Sequence, residues 1–474
     1  MDVSQFLHSN TTMIDNLHPK SSKPKDTATS EESAATMFNK ALSLGEGNHH
    51  DEAIAVYDDL IAMFENSINQ EILIDVARAM RNKGITLGQA HRLNEAIAVY
   101  DNLITRFENS ENQDILEQVA GAMRNKGGCL KEDKRQGEAI AVYDDLVSRF
   151  ENSNNQDILE TVARTLFSKA LSLGEANRPN EEIAVYDNLI TRFDHPNNQG
   201  VLVWVAKAMF IKGATQAEAK RHNEAITIYD VLTNRFGNSN NQEIQEVVAK
   251  AMFSKALSLG KANRPNEEIA FYDDLIAIFK NSKNQKVLVE VARAMLNKGV
   301  SLELVNRHSQ AIAVYDSLIA MFVNSKNQSI LVNVAGAMRN KGWCLEEIKR
   351  YDDAIAVYDN IVSGFTDSNN HEILTHVVKA IFRKALSLGE TNRPNDAIVV
   401  YDNMVARFED SDNQEILVWV AKAMFNHGIT LGEANRDNEA IAVYNKLEAR
   451  FRGSNNLEIR VVVERTVKER KALK

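Results

Sequence analysis

Cysteine is nearly missing from the 474 residues, with only Cys129 and Cys344 present. Two thiols are too few for a disulfide framework or a thiolate metal centre, and both read as small residues filling packing positions. Six Pro and 21 Gly exclude a collagen-like or proline-rich chain. No run approaches the roughly 18 consecutive apolar residues of a membrane span, so no membrane partner is expected. Excess basic charge is missing too: the formal charge is -10 and the pI about 5.7, which gives no electrostatic footprint for nucleic acid. The first thirty residues carry Asp2, Asp15 and Asp26 and lack the apolar core of a signal peptide, giving a cytoplasmic expectation. The short signatures of nucleotide binding, zinc hydrolysis and serine hydrolysis are absent, so no catalytic residue, metal site or cofactor is expected. Histidines are scattered, and His371 and His376 are badly spaced for two ligands on one helix face.

What is present is a period. Tyr57, Tyr100, Tyr143, Tyr186, Tyr229, Tyr272, Tyr315, Tyr358, Tyr401 and Tyr444 follow one another at intervals of 43. Seven residues after each Tyr comes a Phe, from Phe64 to Phe451, without one insertion or deletion. Ten equal lengths give every repeat the same neighbour geometry. In the second repeat Ile72, Val76, Met80, Gly84 and Leu87 recur at three or four residues, and Ala96, Ile97, Tyr100, Leu103, Ile104 and Phe107 do the same. Two helices per repeat follow, helix A near 71–90 and helix B near 94–107.

The punctuation agrees with that division. Asn69 and its counterparts every 43 residues to Asn456 stand where a short amide side chain caps helix A. Asn94, Asn180, Asn223, Asn266, Asn395 and Asn438 stand similarly before helix B, and Pro179, Pro265 and Pro394 read as turn residues. One helix A position holds Gly84, Gly127, Gly213, Gly299, Gly342 and Gly428, or else Ala41, Ala170, Ala256 and Ala385. Gly in a helix interior costs about 1 kcal/mol, so its use beside Ala implies close approach by helix B.

Ala79-Met80-Arg81-Asn82-Lys83-Gly84, then Leu87, Glu95-Ala96-Ile97, Tyr100 and Phe107, resemble the tetratricopeptide repeat, in a variant with an extended 43-residue unit. The resemblance implies an all-α superhelical solenoid of ten helix pairs. Residues 31–456 form the array, 457–474 a C-terminal capping helix, and 1–30 a disordered N-terminal arm before a truncated first helix A. Helix pairs of the HEAT type, with periods of about 40–47 residues, are the structural alternative. Lys83, Lys126 and Lys169 occupy a position that is apolar in the family and must reach water or a groove. Residues 215 apart match in several runs, such as Val119–Gly127 with Val334–Gly342, so the array reads as two five-repeat blocks.

The resemblance further implies binding of a protein or peptide along the concave row of A helices. Positions four apart on that face are basic plus amide: Arg78 and Asn82, Asn125, and Arg164 in the first block, and Arg293 and Asn297, Asn340, and Lys379 and Arg383 in the second. Family members that hold a terminal carboxylate use such an order on three successive repeats, which implies a partner with an acidic C-terminal segment. The alternatives are a structural spacer that assembles through its ends or edges, and a single-stranded nucleic-acid binder.

Overall fold

The computed structural model describes residues 25–194 and 198–473. Among them are 21 α-helices and no strand, and the chain is an all-α repeat solenoid. It divides into two compact units, Met1–Trp204 and Val205–Lys474. In the first, α1 (Lys25–Glu46) pairs with α2 (His50–Phe64), α3 (Gln70–Gln89) with α4 (Leu93–Phe107), α5 (Gln113–Glu132) with α6 (Gln136–Phe150), and α7 (Gln156–Glu175) with α8 (Pro179–Arg192). Each odd helix also packs on the next odd helix, and α2, α4 and α6 pack on the following A helix.

The second compact unit repeats this plan. Its helices include α10 (His222–Phe236), α11 (Gln242–Lys261), α12 (Pro265–Phe279), α13 (Gln285–Leu304), α14 (His308–Phe322), α15 (Gln328–Glu347) and α16 (Tyr351–Phe365). After them come α17 (His371–Glu390), α18 (Pro394–Phe408), α19 (Gln414–Glu433), α20 (Asp437–Phe451) and α21 (Leu457–Ala472). Helix α21 lies against α19 and α20 and covers the last pair. Helix α9 (Gln199–Glu218) is the A helix of the fifth repeat. The first A helix is not truncated: α1 has 22 residues against 20 in the others, because helical backbone continues upstream to Lys25. The remainder of the expected arm, residues 1–24, lies outside the described residues.

Capping explains why the elements keep their phase. Asn112 Oδ1 accepts from the backbone N–H groups of Asp114 and Ile115, at 2.9 and 3.2 Å, while Ser110 Oγ accepts from Asn112 N at 3.2 Å. Asn155, Asn198, Asn241, Asn327, Asn370, Asn413 and Asn456 cap their helices with the same two backbone bonds, and Asn69 and Asn284 with one. Each such cap is worth about 1 kcal/mol.

Helix B starts differently from the sequence expectation. Asn94 and its counterparts lie inside the helix, and the N-cap position is held by Arg, as at Arg92, with no side-chain cap bond. The reason is the turn before it: Arg92 N donates to Leu87 O at 2.9 Å and His91 N to Gly88 O at 2.9 Å, a Schellman closure of helix A. That closure needs one residue at positive φ, and Asn48, His91, Lys134, Asn177, Lys220, Asn263, Asn306, Lys349, Asn392 and Asn435 supply it at intervals of 43. Six of the ten are Asn, the non-glycine residue that bears this conformation best. The N-cap Arg instead clasps the Glu three residues on, as Arg92 does Glu95 at 2.7 Å. Pro179, Pro265 and Pro394 are first-turn helical residues, where a missing N–H costs nothing.

Each helix pair buries one Tyr ring at its centre. All ten repeat tyrosines are among the largest fully buried side chains. Each ring meets the small position of helix A: a Cβ added at Gly84 would stand 2.4 Å from Tyr100 Cε1, and at Gly299 2.2 Å from Tyr315 Cε1. Ala53, Ala96 and Ala139, the small residues of helix B, are wholly buried beside this contact. Gly299→Leu therefore drives the ring out of place, and we expect urea unfolding to show a loss of at least about 1–3 kcal/mol. An unchanged midpoint would contradict the close contact.

Candidate functional site

The lysines in the family's apolar position have partners the sequence did not disclose. Lys83 Nζ lies 2.5 Å from Asp58, Lys126 2.5 Å from Asp101, Lys341 2.6 Å from Asp316 and Lys384 2.5 Å from Asp359, each Asp following the Tyr of the preceding helix B. Lys169, Lys255 and Lys298 pair with Asp144, Asp230 and Asp273 in the same way. Where the lysine becomes His427, its Nδ1 still faces Asp402 at 3.5 Å. These ion pairs join one repeat to the next and absorb both the Lys and the Asp rows into the architecture.

The candidate binding row runs along the other polar side of helix A, where the side chains are half-buried near the seams between successive A helices. In the second block every expected cation already faces a carboxylate of the chain. Arg293 Nη1 donates to Glu290 at 2.9 Å, with its guanidinium 4.2 Å from the centre of the Phe253 ring. Lys379 Nζ is 2.7 Å from Glu415, and Arg383 pairs with the buried Glu346. The amides are engaged as well: Asn297 Nδ2 donates to Arg293 O at 2.9 Å, and Asn340 Nδ2 to Tyr315 Oη at 3.3 Å. Arg383 reaches the preceding A helix through Glu346, and Arg293 reaches it through the Phe253 ring while its ion pair stays within its own helix.

The first block is built on the same frame with a different charge balance. Arg164 lies 5.3 Å from the Trp204 ring, matching Lys379 at 5.7 Å from Trp419, and Phe167 and Phe382 meet those indoles at 5.4 and 5.3 Å. Arg78 is 3.7 Å from Asp75, and Asn125 Oδ1 accepts from Arg124 Nη2 at 2.7 Å. Asn82 sits half-buried on α3 and its backbone carbonyl accepts from Thr86 Oγ1 at 3.0 Å. Two residues overlooked in the sequence stand in this row. Arg81 Nη1 donates to Gln118 Oε1 at 2.7 Å across the α3–α5 seam, and Arg124 occupies the equivalent place on α5. Both belong to the Ala-Met-Arg-Asn-Lys-Gly run, where they read as part of the repeat motif and not as a site.

Two acids, Glu303 half-buried and Glu346 buried, and the thiol of Cys344 meet in the second block. Glu303 accepts from Tyr315 Oη at 2.6 Å and from Cys344 Sγ at 3.3 Å, and Glu346 from Ser387 Oγ at 2.6 Å and Tyr358 Oη at 3.1 Å. Burial holds the Glu303 carboxyl above the ordinary range and pushes the Cys129 thiol up to about 11, so neither cysteine is a ready nucleophile. Both cysteines are buried and free. Among the described residues no group of three or more His, Cys, Asp and Glu is placed to hold a metal ion, and no helix is long and apolar enough to cross a membrane.

A sequence model of the tetratricopeptide repeat family matches residues 305–369, and a second model with the same description matches 35–67 and 207–239. Those three segments are tetratricopeptide-repeat sequence. No curated protein matches the chain. Among solved structures it is similar to the apo form of RapI, at 14% identity over 75% of this chain and 98% of that one, with a TM-score of 0.46. It is also similar to a tetratricopeptide repeat protein from Parabacteroides merdae, at 13% identity over 64% and 98%, with a TM-score of 0.34. A third similarity is to a chain from work on a phosphorylation switch in the cadherin and beta-catenin interaction, at 10% identity over 94% and 98%, with a TM-score of 0.42. The repeats make the array a protein-interaction scaffold in general terms.

One half-buried group of the array gives a pH-dependent outcome. Burial, then Arg339 and Lys379, push His376 down to about 3 from its ordinary 6.5, and its Nδ1 has no hydrogen-bond partner. The folded chain refuses a proton that the unfolded chain accepts, so this group's contribution is intact above pH 6.5 and is lost as pH falls from there toward 3. The melting temperature of His376→Leu should therefore fall less than that of the natural chain between neutral and acid pH. Parallel curves would contradict the assignment.

Proposed function

We propose that this chain is a non-enzymatic scaffold that holds an extended protein segment along its A helices, and that the segment is acidic. The observation carrying this reading is the row of half-buried cations and amides that recurs every 43 residues on one side of helix A. An extended chain carrying carboxylates meets such donors one repeat after another by charge-assisted hydrogen bonds. At Arg293, Lys379 and Arg383 a partner must displace Glu290, Glu415 and Glu346, which costs part of the bond it forms. In the first block Arg78 likewise faces Asp75, and the row through Arg78, Asn82, Asn125 and Arg164 runs beside Arg81 and Arg124.

A library of acidic peptides, with free and with amidated C-termini, tests this on the full chain. We expect salt-sensitive binding, a free terminus preferred over an amidated one, and a loss of affinity both from Arg78→Ala with Arg164→Ala and from Arg293→Ala with Lys379→Ala. No peptide binding together with concentration-dependent end-to-end association would replace this reading with an assembly role. Tight, strongly salt-dependent binding to single-stranded RNA would replace it with nucleic-acid recognition.

A further inference from the structure

The row of Lys–Asp pairs that ties each repeat to the one before is open at its first place. Lys83, Lys126 and Lys341 each pair with an Asp 25 residues earlier, and their side chains are only 18, 21 and 22% exposed. Lys40 holds the same place on α1, one period before Lys83, yet it is exposed and has no ion-pair partner among the described residues. At the other end of the chain the row runs on into the covering helix, where Arg470 of α21 donates to Asn445.

The face of α1 around Lys40 is open as well. Val76, Ala79, Met80, Thr86 and Leu87 are buried on α3, which packs against both α1 and α2. Their counterparts on α1 are Ser33, Thr36 and Ser43, which are exposed, and Met37 and Leu44, which are half-buried. Among the described residues no helix precedes α1 to supply the cover that α2 gives α3. The polar Ser33 and Thr36 suit an end repeat that meets water, whereas Met37 and Leu44 keep the apolar character of a covered face.

The sequence holds a segment that fits this place in both charge and phase. Asp15 stands 25 residues before Lys40, as Asp58 stands before Lys83. Around it Met13-Ile14-Asp15-Asn16-Leu17 falls two periods before Val99-Tyr100-Asp101-Asn102-Leu103 of α4, with the last three residues identical. Leu60, Leu103 and Leu146, the residues in phase with Leu17, are wholly buried. Pro19 lacks the N–H that would bond back to the Asp15 carbonyl, so a helix through this segment ends by His18. The described residues begin at Lys25, the first residue of α1, so the segment is joined to the same helix whose face is open.

We propose that residues 13–17 dock on α1 as a shortened helix B ahead of the first repeat, with Asp15 paired to Lys40 and the apolar Ile14 and Leu17 covering Met37 and Leu44. The docked segment takes the place of the disorder expected of the arm and closes the first end of the array as α21 closes the last. The ion pair sets the register, while the apolar contacts supply most of the hold. Being shorter than a full helix B, the segment covers less apolar area and opens more readily than α21.

Hydrogen exchange of the full chain, followed at several concentrations alongside sedimentation, tests this contact. The amides of residues 14–18 should exchange at least about tenfold more slowly than those of an unstructured chain. Lys40→Asp, which sets two acids together, should abolish most of that protection, and Asp15→Lys combined with Lys40→Asp should restore it. No protection in the natural chain, protection that Lys40→Asp leaves unchanged, or a double exchange that fails to restore it would overturn the docking. Protection that appears only where the chain dimerises would give the face to a second copy and overturn the contact within one chain. A second measurement does not depend on charge: removal of residues 1–18 should speed exchange across residues 33–44 of α1 about tenfold, and an unchanged rate there would overturn the claim that the segment covers this face.

Discussion

Everything in this array hangs on one contact, the helix B tyrosine ring laid against a residue of helix A that has almost no side chain. Six repeats place Gly under the ring and four place Ala, and no larger residue occurs there. The Gly costs helix propensity, about 1 kcal/mol each, and the buried ring more than offsets it through its area. Because the contact fixes how closely helices A and B lie, it also fixes where each following helix must start. Ten repeats of equal length are the sequence's record of that constraint.

Around this contact, small polar devices hold the phase. An Asn cap begins each helix A after the first, a Schellman turn with one positive-φ residue ends it, and a Lys–Asp pair ties most repeats to the one before. None is large; half-exposed ion pairs contribute about 0–1 kcal/mol. Their number and regularity matter more, since neighbouring repeats in a solenoid stabilise one another additively. Where the pattern changes, the bond survives in altered form: His427 faces Asp402, and Asn445 accepts from Arg470 at the last step.

Most of the fold was legible because it is local and repeated. Helix A of the second repeat, expected at 71–90, is Gln70–Gln89, and helix B, expected at 94–107, is Leu93–Phe107. The Asn caps of helix A could be read since a cap acts on residues two and three positions away. The start of helix B was misread because the Schellman turn uses His91, Asn177 or Lys220 alike, so no single residue type marks it. The site was legible only as a list of cations. Whether Arg383 is balanced depends on Glu346, 37 residues away, and the acceptor of Arg81 is Gln118 on another helix. Such partners come from packing and leave no trace in spacing along one helix.

The contact at the centre of this account is most directly tested by a double-mutant cycle on Gly342 and Tyr358, whose ring atom Cε1 would stand 2.3 Å from an added Cβ. Gly→Ala in a helix interior ordinarily stabilises by about 1 kcal/mol. With Tyr358 in place, Gly342→Ala should fail to stabilise the chain or should destabilise it. In a Tyr358→Leu background the same change should recover the ordinary gain. Equal effects of Gly342→Ala in the two backgrounds would mean that ring and glycine do not constrain each other, and the account of the period built on them would fall.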